Sequence, residues 1–260
     1  MSILLVEIVP QGILFGADRN ITEMRRGAGS LVEIRGQSQR RKVLRWPRNR
    51  ALLGYVGAAA IGGQPADEWL YDFIGDNLSF SSFGDLAENL RVRVEAQRRK
   101  DENTEDPDPL IIHLGGFEER AGAQVPVVWY IRNAFDLGPQ GYQEVRKIFE
   151  CSEEFWNYFP NVAPAGIRAA LKQKAKRYEP FWFHQGFDLG TFNTLETYLR
   201  AAFRLLCENH PGHAFPATLD DWERQVRMSI LTYGAYFEAY RGVGEQYVGG
   251  GADVVSIPWP

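Results

Sequence analysis

One candidate for chemistry in this chain is Ser2, whose competing reading is that any cytosolic protein can begin Met-Ser. A serine hydroxyl is a poor nucleophile alone and needs an adjacent base, and a free α-amine, with a reference pKa of about 7.7 to 8, can be that base. The position must then be first in the mature chain, so Met1 is expected to be removed, as commonly happens before a small residue. The runs Ile3 to Val9 and Gly12 to Ala17 flank Pro10, Gln11 and Gly12, good turn chemistry for a hairpin. Such a turn pairs residues whose numbers sum to about 21, which sets Ser2 opposite Arg19 and beside Asp18. The competing reading of Asp18 and Arg19 is an ion pair at a strand end.

Other reactive side chains offer less. His113 sits in an apolar run and reads as a satisfied core histidine, and His184, His210 and His213 show no metal spacing with carboxylates. Cys151 and Cys207 lack CxxC spacing and read as reduced thiols. No metal and no cofactor is expected. Phe181, Trp182 and Phe183 read as core or an interface patch.

The 260 residues, 45% hydrophobic and 24% charged, suit one domain spanning 1–260 and leave no room for a long disordered region. The opening apolar run lacks a basic n-region and is interrupted by Glu7 and Pro10, so it reads as strands. No run elsewhere approaches the length of a membrane span, and a cytoplasmic location follows by elimination. The net charge of −4 predicts solubility and no polyanion partner.

Further elements must position the amino terminus. Short apolar runs at Lys42 to Trp46 and Ala51 to Val56 predict strands, ending at the glycine and alanines Gly57 to Ala60. Pro65, Asp67 and Glu68 open a helix with Leu70, Phe73 and Ile74 on one face, and a second helix covers Asp85 to Lys100. Strands return at Leu110 to Leu114 and Val125 to Ile131, joined by the loop EERAGAQ. A helix is predicted near Asn193, capped by Asn193 and Glu196, and another at Thr218 with Asp221. A glycine run and the strand Ala252 to Ile257 close the chain. Two antiparallel sheets covered by helix pairs give an α+β fold, a four-layer αββα sandwich, with 135–185 set aside as an insertion holding a basic helix at Ala165 to Arg177.

This order of elements resembles the proteasome β-subunit and HslV family of amino-terminal nucleophile hydrolases. Gly16, Ala17, Asp18 and Arg19, with Thr22 after them, look like the family's Ala-Asp-Ser-Arg segment; Ser2 stands where its nucleophile starts a strand. Lys42 in RKVLRWP resembles its strand-opening lysine, and LLGYVG its oxyanion turn, with Gly54 the best match. IIHLGGFEE with VVWYIRN looks like the family's central hairpin, and VGGGADVVSI like its last passage into a strand. Two positions depart from the pattern: the usual nucleophile is threonine, and Val248 replaces a serine before the final glycines, with Glu245 standing for an aspartate.

The resemblance implies a peptidase in which Asp18 holds Lys42, the lysine's charge favours the ionised Ser2 oxygen, and the Gly54 amide donates to the oxyanion, with Arg19 and Glu245 in support. It also implies a ring or other homo-oligomer, a peptide or protein substrate and an ATPase or activator partner of unknown kind. A second hypothesis is a non-catalytic structural or assembly subunit of the same fold that retains Met1. A third reads the arginines between Arg35 and Arg50 as a nucleic-acid surface, against which the acidic total argues. Because Lys42 follows Arg40 and Arg41, its bland reading is a solvated basic face.

Overall fold

A computed structural model describes residues 2–26, 32–47, 51–100, 108–136, 142–159, 161–186, 189–241 and 249–260. Its strands are β1 (Ile3–Val9), β2 (Gly12–Asp18), β3 (Asn20–Arg26), β4 (Val32–Gln39), β5 (Val43–Arg45), β6 (Ala51–Gly57), β7 (Ala60–Ile61) and β8 (Gln64–Pro65). They continue with β9 (Leu110–Arg120), β10 (Ala123–Asp136), β11 (Tyr142–Glu153), β12 (Phe181–Gly186) and β13 (Ala252–Pro258). The helices are α1 (Ala66–Asp76), α2 (Phe83–Lys100), α3 (Ile167–Ala175), α4 (Leu189–Asn209) and α5 (Leu219–Arg241). None of them is long and apolar enough to cross a membrane.

The fold is mixed α and β with antiparallel sheets. One sheet runs β12-β1-β2-β13, the other β11-β10-β9-β6-β5. Every residue of β1 and β2 is buried, which explains why both read as nearly continuous apolar runs: each face of this hairpin meets a core. Alternation sorts the side chains. Leu4, Val6, Ile8 and Phe15 meet Val43, Leu52, Ile111 and Val128 of the other sheet, while Ile3, Leu5 and Leu14 meet Trp222, Val226, Ile230 and Tyr233 of α5. A third core joins Leu53, Tyr55, Leu114 and Val127 to Phe73 of α1 and Leu86, Leu90 and Val94 of α2.

Close approach of the two sheets depends on glycine. A Cβ at Gly54 would stand 2.7 Å from Leu4 Cδ1, and one at Gly115 would stand 2.8 Å from Phe15 Cζ. Both positions lie inside strands, where Gly115 and its neighbour Gly116 act as packing residues.

Several elements differ from the sequence expectation. The predicted EERAGAQ loop is a two-residue turn at Ala121 and Gly122, with φ of 49° and 75°, and Arg120 pairs directly with Ala123. Helix α4 begins at Leu189, so Asn193 lies inside it and caps nothing. Asp221 performs as expected: its carboxylate accepts from the Thr218 amide at 2.9 Å, while the Thr218 hydroxyl accepts from the Asp221 amide at 3.2 Å. The segment set aside as an insertion joins both sheets, supplying β11 beside β10 and β12 beside β1. β3 and β4 add a hairpin for which the sequence reading offers no strands.

Candidate functional site

The β1–β2 hairpin pairs Leu4 with Ala17 and Glu7 with Leu14, the register expected from its turn. That register carries Ser2, just before β1, to the end where Asp18 closes β2. Ser2 is buried, and the amide of the next residue, Ile3, donates to Asp18 Oδ1 at 2.8 Å.

Lys42 arrives at the same oxygen from the other sheet. It directly precedes β5, and its Nζ donates to Asp18 Oδ1 at 2.9 Å and also to the Asn20 carbonyl. The side chain is 1% exposed, so the reading of Lys42 as part of a solvated basic face gives way to a buried ion pair. Burial lowers the Lys42 pKa, opposed by the nearby Asp18 charge. Burial likewise raises that of Asp18, opposed by Lys42 and by the Ile3 amide. Such a pair persists only where further hydrogen bonds complete both partners, and here the backbone supplies them. One carboxylate oxygen thereby ties the cation to the peptide unit that follows Ser2.

The carboxy-terminal glycines clamp this corner. Arg19 N donates to the carbonyls of Gly249 and Gly251 at 3.1 and 3.2 Å, and Gly249 N reaches Asp18 Oδ2 at 3.4 Å. Gly250 adopts φ of 68°, and a Cβ there would lie 2.1 Å from Asn20 Oδ1, so no larger residue fits. The Arg19 guanidinium is paired with Asp253 of β13, which makes it a brace between neighbouring strands.

Gly54 stands apart from these residues. It lies in the middle of β6, opposite Val43 on one side and His113 on the other. Tyr55 N donates to the Lys42 carbonyl on the β5 side at 2.9 Å, so strand alternation turns the Gly54 amide toward β9 and commits it to the sheet. Gly54 also packs closely against Leu4, since a Cβ there would stand 2.7 Å from Leu4 Cδ1. Glu245 lies outside the described residues.

His113 is a fully buried core residue against Phe15, Tyr130 and Phe183, yet both ring nitrogens lack a hydrogen-bond partner among the described residues. Burial, aided by the Arg132 charge, pushes it down to about 3. It fits the expected core assignment without being satisfied. Cys151 and Cys207 are free thiols, and among the described residues no group of three or more His, Cys, Asp or Glu side chains could hold a metal ion.

Sequence reasoning missed Asn20, Asp253 and a second buried cluster. Glu7, on the helix-facing side of β1, bonds Arg200 of α4, which also pairs with Glu196. A charged residue in the middle of an apolar strand was the available signal.

No family model matches the sequence, and no curated protein matches it. Among solved structures, the chain is similar to Anbu (ancestral beta-subunit) from Yersinia bercovieri, with 13% identity, a TM-score of 0.41, and coverage of 99% of this chain and 82% of that one.

Proposed function

We propose that the chain is a proteasome-like amino-terminal hydrolase that cleaves peptide bonds, with Ser2 as its nucleophile after removal of Met1. In this reading the cores form a four-layer αββα sandwich in a single domain, and copies assemble in the cytoplasm as a ring or other homo-oligomer acting on peptide or protein substrates. The observation that supports it best is the Asp18 carboxylate oxygen shared by the Lys42 ammonium and the Ile3 amide, immediately beside Ser2.

The chemistry follows from those residues. The Ser2 hydroxyl attacks the scissile carbonyl carbon, and its proton passes to the liberated α-amine. The Lys42 charge, held by Asp18, favours the developing alkoxide. The C–N bond breaks as the leaving amine takes up the proton, leaving an ester on Ser2. Water then attacks that ester, regenerating the hydroxyl and releasing a carboxylic acid. No metal or cofactor takes part in this scheme.

Hydrolysis of a fluorogenic peptide amide is the test. Wild-type protein is expected to turn over, and Ser2→Ala and Lys42→Ala each to lose about a hundredfold or more of the rate. Full activity in Ser2→Ala would eliminate the nucleophile.

A second reading, a non-catalytic subunit of the same fold, is favoured by one observation. The Gly54 amide nominated to stabilise an oxyanion belongs to the sheet. Wild-type protein inert toward both substrate and an electrophilic probe would decide for this reading.

A further inference from the structure

Helix α4 carries Thr197, Arg200, Ala201 and Arg204 at the spacing of a single helical face, and that face forms one wall of a cleft of about 350 Å³. Lys174, near the end of α3, and Arg177, just after it, form the opposing rim, and Tyr178 and Trp182 also line the cleft. Four cationic side chains therefore surround a space whose only carboxylate among the described residues is that of Glu179, itself 3.9 Å from Arg204.

Several buried donors along this wall lack hydrogen-bond acceptors among the described residues. Arg200 is 7% exposed, and Nη2 is taken by Glu7 and Glu196. Its Nε and Nη1 have no hydrogen-bond partner among the described residues, and neither has the hydroxyl of Tyr178, 2% exposed. A buried donor left unpaired is destabilising, and here several converge on one space. Glu7 and Glu196 do not line the cleft; they stand behind Arg200, fixing its position. Burial also raises the pKa of Glu7 against the pull of Arg200.

We propose that this cleft between α3, β12 and α4 is a binding site for a small oxyanion, the phosphate or carboxylate group of a small molecule. The anion accepts from Arg200 and from the Tyr178 hydroxyl at the buried end, and Lys174, Arg177 and Arg204 draw it in from the rim. Trp182, over whose ring the Arg200 guanidinium sits at 5.3 Å, holds that cation from the other side. The site is separate from Ser2 and needs no catalysis there.

Isothermal titration of the full chain with inorganic phosphate, with acetate, and with chloride at matched ionic strength tests the site and separates the two oxyanion classes. The expected result is saturable one-site binding of phosphate or acetate that chloride does not reproduce. Arg177→Glu with Arg204→Glu, both on the rim of the cleft, is expected to weaken it about tenfold or more while leaving the urea midpoint within error. Tyr178→Phe, which removes only a hydroxyl, is expected to weaken it severalfold. Oxyanion heats no different from those of chloride, or equal affinity in the charge-reversed protein, would overturn the proposal.

Discussion

Two buried ionic clusters flank the same β1–β2 hairpin, and they differ in how they are finished. At one end Asp18 and Lys42 meet with the Ile3 amide, the Asn20 carbonyl and the Gly249 amide closing around them. On the helix-facing side Glu7, Glu196 and Arg200 meet with several of their polar atoms unpartnered among the described residues and with Arg200 reaching a cleft. Backbone groups cannot move away without unfolding a strand, so the first cluster is a fixed positioning device. The second is completed, in the proposal above, by an anion that enters the cleft. A buried charge is costly in either place, and the contrast shows two ways of meeting that cost, from within the fold or from a ligand.

The largest expected effect breaks the sealed cluster. Lys42→Met leaves Asp18 as a buried, uncompensated carboxylate and is expected to cost about 3 to 5 kcal/mol in urea unfolding. Adding Asp18→Asn should restore part of that loss; no change on the first substitution would show the pair to be solvated. The open cluster should be more forgiving, because Arg200 keeps Glu196 when Glu7 is altered. Glu7→Gln is expected to cost about 2 kcal/mol in the same measurement, and a loss as large as that of Lys42→Met would erase the distinction drawn here.

His113 sharpens the comparison as a buried polar group finished neither way. Its pKa is pushed from 6.5 to about 3, so the unfolded chain takes up the proton first as pH falls. Its contribution is thus complete above the unfolded value and is lost as pH drops from 6.5 toward about 3. By about pH 5.5 this should amount to roughly 1.4 kcal/mol of stability, absent in His113→Phe. Equal pH slopes for the two proteins would mean that His113 has an acceptor after all.

Much of the fold was legible because local chemistry specified it. The hairpin register followed from Pro10 to Gly12, and the start of α5 from the reciprocal pairing of Thr218 and Asp221. What escaped depended on distant partners. Glu196 resembles a capping residue in sequence, yet its partner Arg200 is fixed by Glu7 of β1, far away along the chain. The segment from Tyr142 to Gly186 looks irregular because its strands are sheet edges, with β11 leaving Arg146 and Glu150 exposed to pair with each other. Of the site, Asp18 and Lys42 were legible as residues, and their contact is now explicit. The packing of Gly54 against Leu4 was not legible, because it depends on the facing sheet.

The central claim is that Ser2 acts as a nucleophile from a liberated amino terminus with Lys42 behind it. Mass spectrometry of the purified protein after treatment with an electrophilic serine probe tests it most directly. The account predicts an amino-terminal peptide beginning at Ser2 and bearing one adduct, with the adduct lost in Lys42→Ala. An unmodified peptide that still begins with Met1 would contradict it.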